Sequence, residues 1–420
     1  MRNNFILLVA LLCIVTSCSK DSVRVESISL DSSQEYMLVG DTVVVSALLL
    51  PTEASLKTII EWSSSDEDVV TVKDGVVIAK HSGSAIVTAS AANGLQTASC
   101  NVTIGDLYII GNDYDYSSSN TTAYWINWEE YFGKNLSYYN FNMTKSGDVY
   151  SLEDTDYIKA TTVIKNESPL YTIEDGGNYI SADDMVIRDN DVYVVGTNKG
   201  TSIFGSGLIL TLWKNGVASH LYSDPKVTSP HLSISGKDTC VAYYTSVGNI
   251  LTPKIWHNGT ISTLDTAPYS HGSPRDIFVS DGDVYVLGEV FTNYFDNHIM
   301  CVWKNGVRTD ITDGSHKASS SSFIIYDNDL FISGYEEDDN GTYIAKIWKN
   351  GKAIVLSGKE VSAKAVCAYI FGDKVYVLGH VSGSHDSFTR VWAVECASGK
   401  IVKERDFLNL NTPSSIVIAQ

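Results

Sequence analysis

Asp184, His231, Asp276 and Ser322 fall at one position in successive copies of a repeated pattern, with Asp183 and Arg275 beside two of them. Carboxylates, an imidazole and a guanidinium gathered at one mouth by repetition have two chemical uses. Paired carboxylates a few ångströms apart support the acid–base work of glycosidic bond cleavage. The same groups around a wet concave mouth hold a polar ligand by hydrogen bonds, and in the plainest case they only line a water-filled channel. A second set is aromatic: Asp113-Tyr114-Asp115-Tyr116, Phe291 with Tyr294-Phe295-Asp296, Tyr335 ahead of Glu336-Glu337-Asp338-Asp339, and His380 with His385-Asp386. Rings interleaved with carboxylates suit carbohydrate, since ring faces stack on sugars while carboxylates accept from hydroxyls. The candidate ligand-binding residues are therefore Asp184, His231, Arg275, Asp276, Tyr114, Tyr116, Tyr294 and Tyr335.

No catalytic set is assigned. The chain has no Gly-x-Ser-x-Gly, no His-Glu-x-x-His, no phosphate-binding loop and no Ser-x-Asp-x-Gly-x-x-Trp box, so binding is expected ahead of catalysis, and no cofactor is implied. Asp189-Asn190-Asp191, Asp281-Gly282-Asp283 and Asp327-Asn328-Asp329 have the look of calcium loops but lack the remaining ligands of one. Hairpin-turn chemistry accounts for them, and no metal site is expected.

The elements that would position these residues follow from a second pattern. Trp213-Lys214-Asn215-Gly216, Trp256-His257-Asn258-Gly259, Trp303-Lys304-Asn305-Gly306 and Trp348-Lys349-Asn350-Gly351 recur roughly every 45 residues, the period of an architecture with one supersecondary unit per repeat. Asn-Gly between alternating apolar runs marks a two-residue hairpin whose central residues both take φ > 0. A strand of the type Asp-Val-Tyr-Val-Val-Gly, from Asp191, marks the same period more widely, from Asp106 to the copy beginning at Lys374. Each unit reads as strand A, tight turn, strand B, variable loop, strand C ending in Trp, Asn-Gly turn, strand D, which is a propeller blade. Counting strand B gives seven units, with six as the fallback if the second, where Val163-Ile164-Lys165-Asn166 replaces the Trp motif, is an insertion. The first unit has no strand A of its own. Residues 412–420, containing Ile416-Val417-Ile418, are expected to supply it and close the ring. The long B–C loops open on the face opposite the tight turns, and functional residues concentrate on such loops.

At 420 residues and a net charge of −19, the chain is long enough for two domains and is unsuited to nucleic acid. Met1-Arg2-Asn3-Asn4 and the apolar run Phe5 to Val15 read as an export signal of the Sec type, too short to span a bilayer. It ends in Val15-Thr16-Ser17-Cys18, which resembles the bacterial lipobox. That resemblance implies lipidation at Cys18, removal of the segment before it, and a membrane-anchored protein of the outer membrane or cell surface. Cys100, Cys240, Cys301, Cys367 and Cys396 lie in different predicted strands with no metal-type spacing and are expected to be buried thiols.

Short alternating strands between turns over residues 25–104 predict a β-sandwich with Trp62 in its core. Val39-Gly40-Asp41-Thr42, Trp62-Ser63-Ser64-Ser65-Asp66, Gly75-Val76-Val77-Ile78-Ala79 and Gly83-Ser84-Ala85-Ile86-Val87-Thr88-Ala89 make this segment resemble the group 2 bacterial immunoglobulin-like domain, which implies a spacer or adhesion module. The Trp-Lys-Asn-Gly units are similar to those of propellers in secreted proteins of Bacteroidetes, a likeness that informs fold alone. The organisation expected is an all-β chain: signal and lipobox 1–18, tether 19–24, Ig-like domain 25–104 and seven-bladed propeller 105–420 closed by 412–420. The expected role is a surface lipoprotein binding a glycan or a protein. A propeller glycoside hydrolase or polysaccharide lyase, or a structural part of an outer-membrane complex, are the alternatives.

Overall fold

The computed structural model describes residues 24–56, 58–91, 95–114, 120–132, 138–144, 147–155, 159–176, 178–198, 208–224, 226–294, 297–383, 387–407 and 412–419. Among these residues every regular element is a β-strand except one 3-10 turn, Thr52–Leu56. Cys18 lies outside the described residues, as do Tyr116 and the loop residues Phe295, Asp296, His385 and Asp386; for Tyr114 the backbone is described but the side chain is not.

The N-terminal domain has a three-stranded sheet (Thr42–Val44, Val76–Ala79, Val70–Lys73) and a pair formed by Ser27–Leu30 and Ala47–Leu50. Its remaining strands gather on the long strand Gln96–Tyr114, with Gly83–Ala91 antiparallel on one side and Gln34–Leu38 parallel on the other. Val77, Val87, Cys100, Val102 and Ile104 form the core. Trp62 lies at its rim rather than its centre: the indole is half-buried and packs over Gly75, where a Cβ would come within 3.3 Å of it.

Six four-stranded antiparallel meanders follow in chain order, spanning 138–174, 180–224, 227–263, 271–310, 318–355 and 362–407. A further set of four joins Asn120–Ile126 and Glu129–Phe132 to the second half of the long strand, whose other edge takes Thr412–Ala419. The chain's last strand thus pairs with its first propeller-type strand, Ile416 opposite Ile109 and Ile418 opposite Leu107. The innermost strands neighbour one another in order, and Thr412–Ala419 lies between those of the 362–407 and 138–174 units. For reference, the set built on Thr412–Ala419 is the first unit and that at 362–407 the seventh.

The Asn-Gly turns have the expected hand: φ is 50° and 83° at Asn215 and Gly216, and 50° and 82° at Asn305 and Gly306. A clip explains why the motif carries Lys and Asn together with the Asp of strand B. Asn305 Nδ2 donates to Asp283 Oδ1 at 2.8 Å, Val284 N donates to Asn305 Oδ1 at 2.9 Å, and Lys304 Nζ pairs with Asp283 Oδ2 at 2.7 Å. The Lys304 ammonium also sits 4.9 Å from the Tyr285 ring centroid. Such solvent-screened pairs and exposed cation–π contacts add little stability, so the clip fixes register more than it stabilises. The third and sixth units repeat it, and so does the second: Asp148, Lys165 and Asn166 make the same contacts without the Trp or the Gly. The first unit keeps the Asn127–Asp106 bond, with φ of 48° and 79° at Asn127 and Trp128. Trp213, Trp303, Trp348 and Trp392 are buried between units. Each removes about 150–250 Å² from water, about 4–6 kcal/mol at ~25 cal/mol per Å² before entropy is counted.

The two parts of the chain meet through more than the shared strand. Trp128 Nε1 donates to Val39 O at 2.9 Å, and its ring stacks on Phe407 with centroids 5.6 Å apart. Tyr36 meets Phe371 edge-on at 5.7 Å, and Lys403 pairs with Asp41. Trp128 and Gly372, the latter lying directly against the Tyr36 ring, are tight-turn residues, so the N-terminal domain rests against the tight-turn end and leaves the opposite face open. Cys100, Cys240, Cys301 and Cys396 are buried free thiols, and Cys367 is half-buried.

Because Thr412–Ala419 holds the first unit to the seventh, deleting residues 412–420 is expected to lower the unfolding midpoint of every later unit together, seen as one earlier transition by calorimetry. An unchanged melting temperature would exclude this role for the strand.

Candidate functional site

Each innermost strand from the third unit onward, and the closing strand, carries a β-bulge at the same height. The register slips between Ala182 and Asp184, Pro274 and Asp276, Ser320 and Ser322, Ala365 and Cys367, and Pro413 and Ser415. Such a bulge bends the strand and re-aims a side chain. It also brings a carbonyl against the paired strand, which is why that strand has Gly there. A Cβ on Gly196 would lie 1.8 Å from Ser181 O, and one on Gly334 would lie 2.3 Å from Ser319 O. The fourth unit has Tyr243 at this place and a wider slip, between Thr228 and His231, with Ser229 at φ 48°.

Asp184, His231, Asp276 and Ser322 do occupy equivalent positions, opposite Val195, Ala242, Leu287 and Ser333 of their strand B. The carboxylates join units. Asp184 accepts from Met185 N and from Leu232 N of the next unit, both at 2.8 Å. Asp276 accepts from Ile277 N at 2.8 Å and from the Phe323 amide of the next unit. Ser322 Oγ bonds to Ser333 Oγ at 2.9 Å, and Asp183 receives the Asn140 amide on its carbonyl at 2.8 Å. With two backbone N–H groups each, Asp184 and Asp276 act as latches between inner strands. Burial pushes the Asp184 carboxyl up to about 6; burial and then the Asp184 charge push Asp276 to about 7. Burial, reinforced by Arg275, lowers the His231 imidazole to about 4.

Arg275 belongs elsewhere. It is the extra residue of the fifth-unit bulge, and its Nη2 donates to Glu289 Oε2 at 3.1 Å. The Glu289 side chain is 1% exposed. Its Oε2 also accepts from His298 Nδ1 at 2.9 Å, and its Oε1 accepts from Ser319 Oγ at 2.9 Å. Burial alone would raise this carboxyl, but the imidazole, the guanidinium and the hydroxyl outweigh it and hold the group below the usual glutamate value. The His298 ring lies flat on Phe291, centroids 4.0 Å apart, and Phe291 in turn meets Tyr294 at 5.3 Å. Across the gap, Tyr335 of the sixth unit packs edge-on against Tyr343 at 5.0 Å with the Lys364 ammonium 4.7 Å from its ring centroid.

These groups wall a cavity of about 380 Å³ between the fifth and sixth units, on the face away from the N-terminal domain, with Arg275, Glu289, Tyr294, His298, Lys317 and Tyr335 around it. The structure therefore brings Arg275, Tyr294 and Tyr335 together and leaves Asp184 and Asp276 in the inter-unit latches. Glu289, His298, Lys317 and Ser319 were not foreseen from sequence. The available sign was a single acid in the otherwise apolar run Val284 to Phe291, since a buried charge demands partners. A larger cavity of about 760 Å³, with Tyr36, Phe278, Ile324, Tyr326 and Ile370 among its walls, lies at the tight-turn end and has no charged side chain on its walls. Among the described residues no His, Cys, Asp and Glu cluster has metal-holding geometry. The expectation of long, irregular B–C loops fails in the fourth unit, where Gly248 and Asn249 alone join the strands.

Residues 24–102 match the bacterial Ig-like domain (group 2). No curated protein matches the chain. Among solved structures it is similar to a quinonprotein alcohol dehydrogenase-like protein from Bacteroides thetaiotaomicron (12% identity, TM-score 0.38, 92% of this chain and 96% of that one). It is also similar to the β-propeller domain of the Trilobed protease from Pyrococcus furiosus (10%, 0.43, 80% and 97%) and to TolB from Acinetobacter baumannii (10%, 0.42, 70% and 78%).

The inner ring gives a pH signature. Asp184 and Asp276 hold their protons more tightly folded than unfolded, so the stability they favour is present at low pH and is lost as pH rises from about 4 toward 7. His231 runs the other way: its contribution is present above about 6.5 and is lost as pH falls toward 4. The two slopes oppose each other, so His231→Gln is expected to make the melting temperature fall more steeply with rising pH across that window, and Asp276→Asn to flatten it. Parallel pH profiles for parent and both variants would contradict these assignments.

Proposed function

We propose that the chain is a surface lipoprotein, anchored through Cys18 at the outer membrane or cell surface, whose Ig-like spacer presents a closed seven-bladed β-propeller as a binding module for a glycan or a protein ligand. The count of seven takes the first unit as a blade of mixed origin, three strands from its own segment and one from the C-terminus. A sandwich reading of the spacer suits its separate sheets around a common core.

The observation that carries the binding role is the cavity around Glu289. A buried carboxylate fixes a half-exposed arginine at the mouth of a concavity with aromatic walls, on the face away from the anchored domain. Sites of this kind combine apolar walls with a few oriented polar groups. Asp184 and Asp276, the carboxylates that an acid–base reading would use, each already accept two backbone N–H groups. Binding is therefore the reading advanced.

Cys18→Ala is expected to leave the full chain folded and move it from the detergent fraction to the soluble one. A variant still extracted only by detergent would rule out the lipid anchor. In that soluble background, Tyr294→Ala with Tyr335→Ala should weaken any ligand found on a glycan array by about 1–3 kcal/mol per anchor. Replacing Lys214, Lys304 and Lys349, whose ammonium groups are bound in clips at the other end, should leave it bound. Loss of binding in the lysine variant alone would move the site to the tight-turn face.

A further inference from the structure

We infer that the cavity between the fifth and sixth units selects a carboxylated sugar, a uronic acid residue whose acid group meets Arg275 and Lys317 while its ring lies against Tyr294. This rests on the binding role proposed for the same cavity and names its ligand class.

Charge is the first argument. The chain carries −19 overall, yet among the described residues the charged groups that reach this cavity's mouth are cations. Glu289, the one acid among its walls in the described residues, is buried and has both oxygens engaged by Arg275, His298 and Ser319. Arg275 gives one N–H to that carboxylate and keeps 47% of its side chain exposed. Lys317 is exposed beside it, and Lys364 stands behind Tyr335. An acidic protein repels anions over most of its surface, so a local cationic mouth concentrates them there, with strong dependence on salt.

Preorganisation is the second. A guanidinium on a free surface loses side-chain entropy when it grips a carboxylate, whereas Arg275 is already held by a buried partner and delivered by the bulge. The third is the wall. Tyr294 is 51% exposed and is backed by Phe291 and by His271, whose ring centroid is 5.2 Å away. An exposed ring braced from behind is a platform for the apolar face of a pyranose. At about 380 Å³ the cavity lies near the lower end of the ligand range, the scale of one or two sugar rings. An acidic peptide fits less well. Glu289 and Tyr335 project from strands paired on both sides, so these walls offer no free strand edge for main-chain pairing.

The test is titration calorimetry on the full chain carrying Cys18→Ala, with trigalacturonate and its methyl ester, which keeps the sugar rings and replaces each carboxylate with an uncharged ester. The acid is expected to bind more tightly than the ester by about tenfold at low salt, the scale of one charge-assisted hydrogen bond. Lys317→Ala, which keeps the backbone bond from Glu337 N to the residue 317 carbonyl and removes only an exposed ammonium 5.9 Å from the Tyr343 ring centroid, and Arg275→Lys should each narrow that gap, while Tyr294→Ala should weaken both forms. Equal binding of acid and ester, lost in Tyr294→Ala, would keep the cavity as the site and overturn its acid selectivity. Binding of the acid that none of the three variants changes would overturn both readings. Absence of binding by either form would overturn the uronate assignment, and polyglutamate binding weakened by Lys317→Ala would then assign the mouth to acidic peptide.

Discussion

One strand carries the constraint on which the rest of the molecule depends. Gln96–Tyr114 runs without interruption out of the N-terminal domain and into the first propeller-type unit, so a single run of backbone belongs to two cores. The crossing point is Gly105. A Cβ there would meet Ile418 at 2.4 Å and Phe371 at 3.0 Å, so only glycine lets the strand pass from one core to the other against the C-terminal strand. A flexible linker would leave the two parts free to turn, as linked domains by default do. Here the shared strand, the Trp128–Val39 bond and the Tyr36–Phe371 contact tie orientation to folding itself.

That constraint sets which end of the propeller-type array the N-terminal domain covers. The N-terminal domain occupies the tight-turn end, and the cavity around Glu289 opens at the other. The inner strands then use one local device in two ways. In the third and fifth units the residue after the bulge is an aspartate that accepts from the next strand and holds adjacent units together. In the fifth unit the bulged residue itself is Arg275, turned toward Glu289 of its own unit. The same distortion that fixes spacing around the ring thus also aims Arg275 at the buried carboxylate of Glu289. The glycine of the Asp-Val-Tyr-Val-Leu-Gly strand is the sequence trace of that distortion, since Gly288 leaves room for Ser273 O, 2.5 Å from where its Cβ would be.

Much of this was legible in the chain. The repeat period, the turn residues and the orphan strand at the C-terminus each report on local backbone geometry or on a missing partner, and both can be read from residue order. The second unit looked degenerate because it lacks Trp and Gly, yet Asp148, Lys165 and Asn166 still make the clip; the motif's structural content lay in the Asp–Asn pair rather than in its most visible residue. The site was only half legible. Arg275, Tyr294 and Tyr335 stood out as polar or aromatic residues near loops, whereas Glu289 and Ser319 come from different units, and nothing in the order of residues says that they meet. Trp62 was expected in the core because large aromatics usually are, but the domain's interior is filled by valines and its indole closes the rim.

Hydrogen exchange along the shared strand tests most directly whether the N-terminal domain and the propeller-type units form one stiff body. Amides from Thr97 through Ile110 are expected to exchange through one cooperative opening, with protection continuous across Gly105 and equal sensitivity to denaturant on both sides. Two separate opening energies, one for residues before Gly105 and another for those after it, would contradict it and would make the strand a hinge.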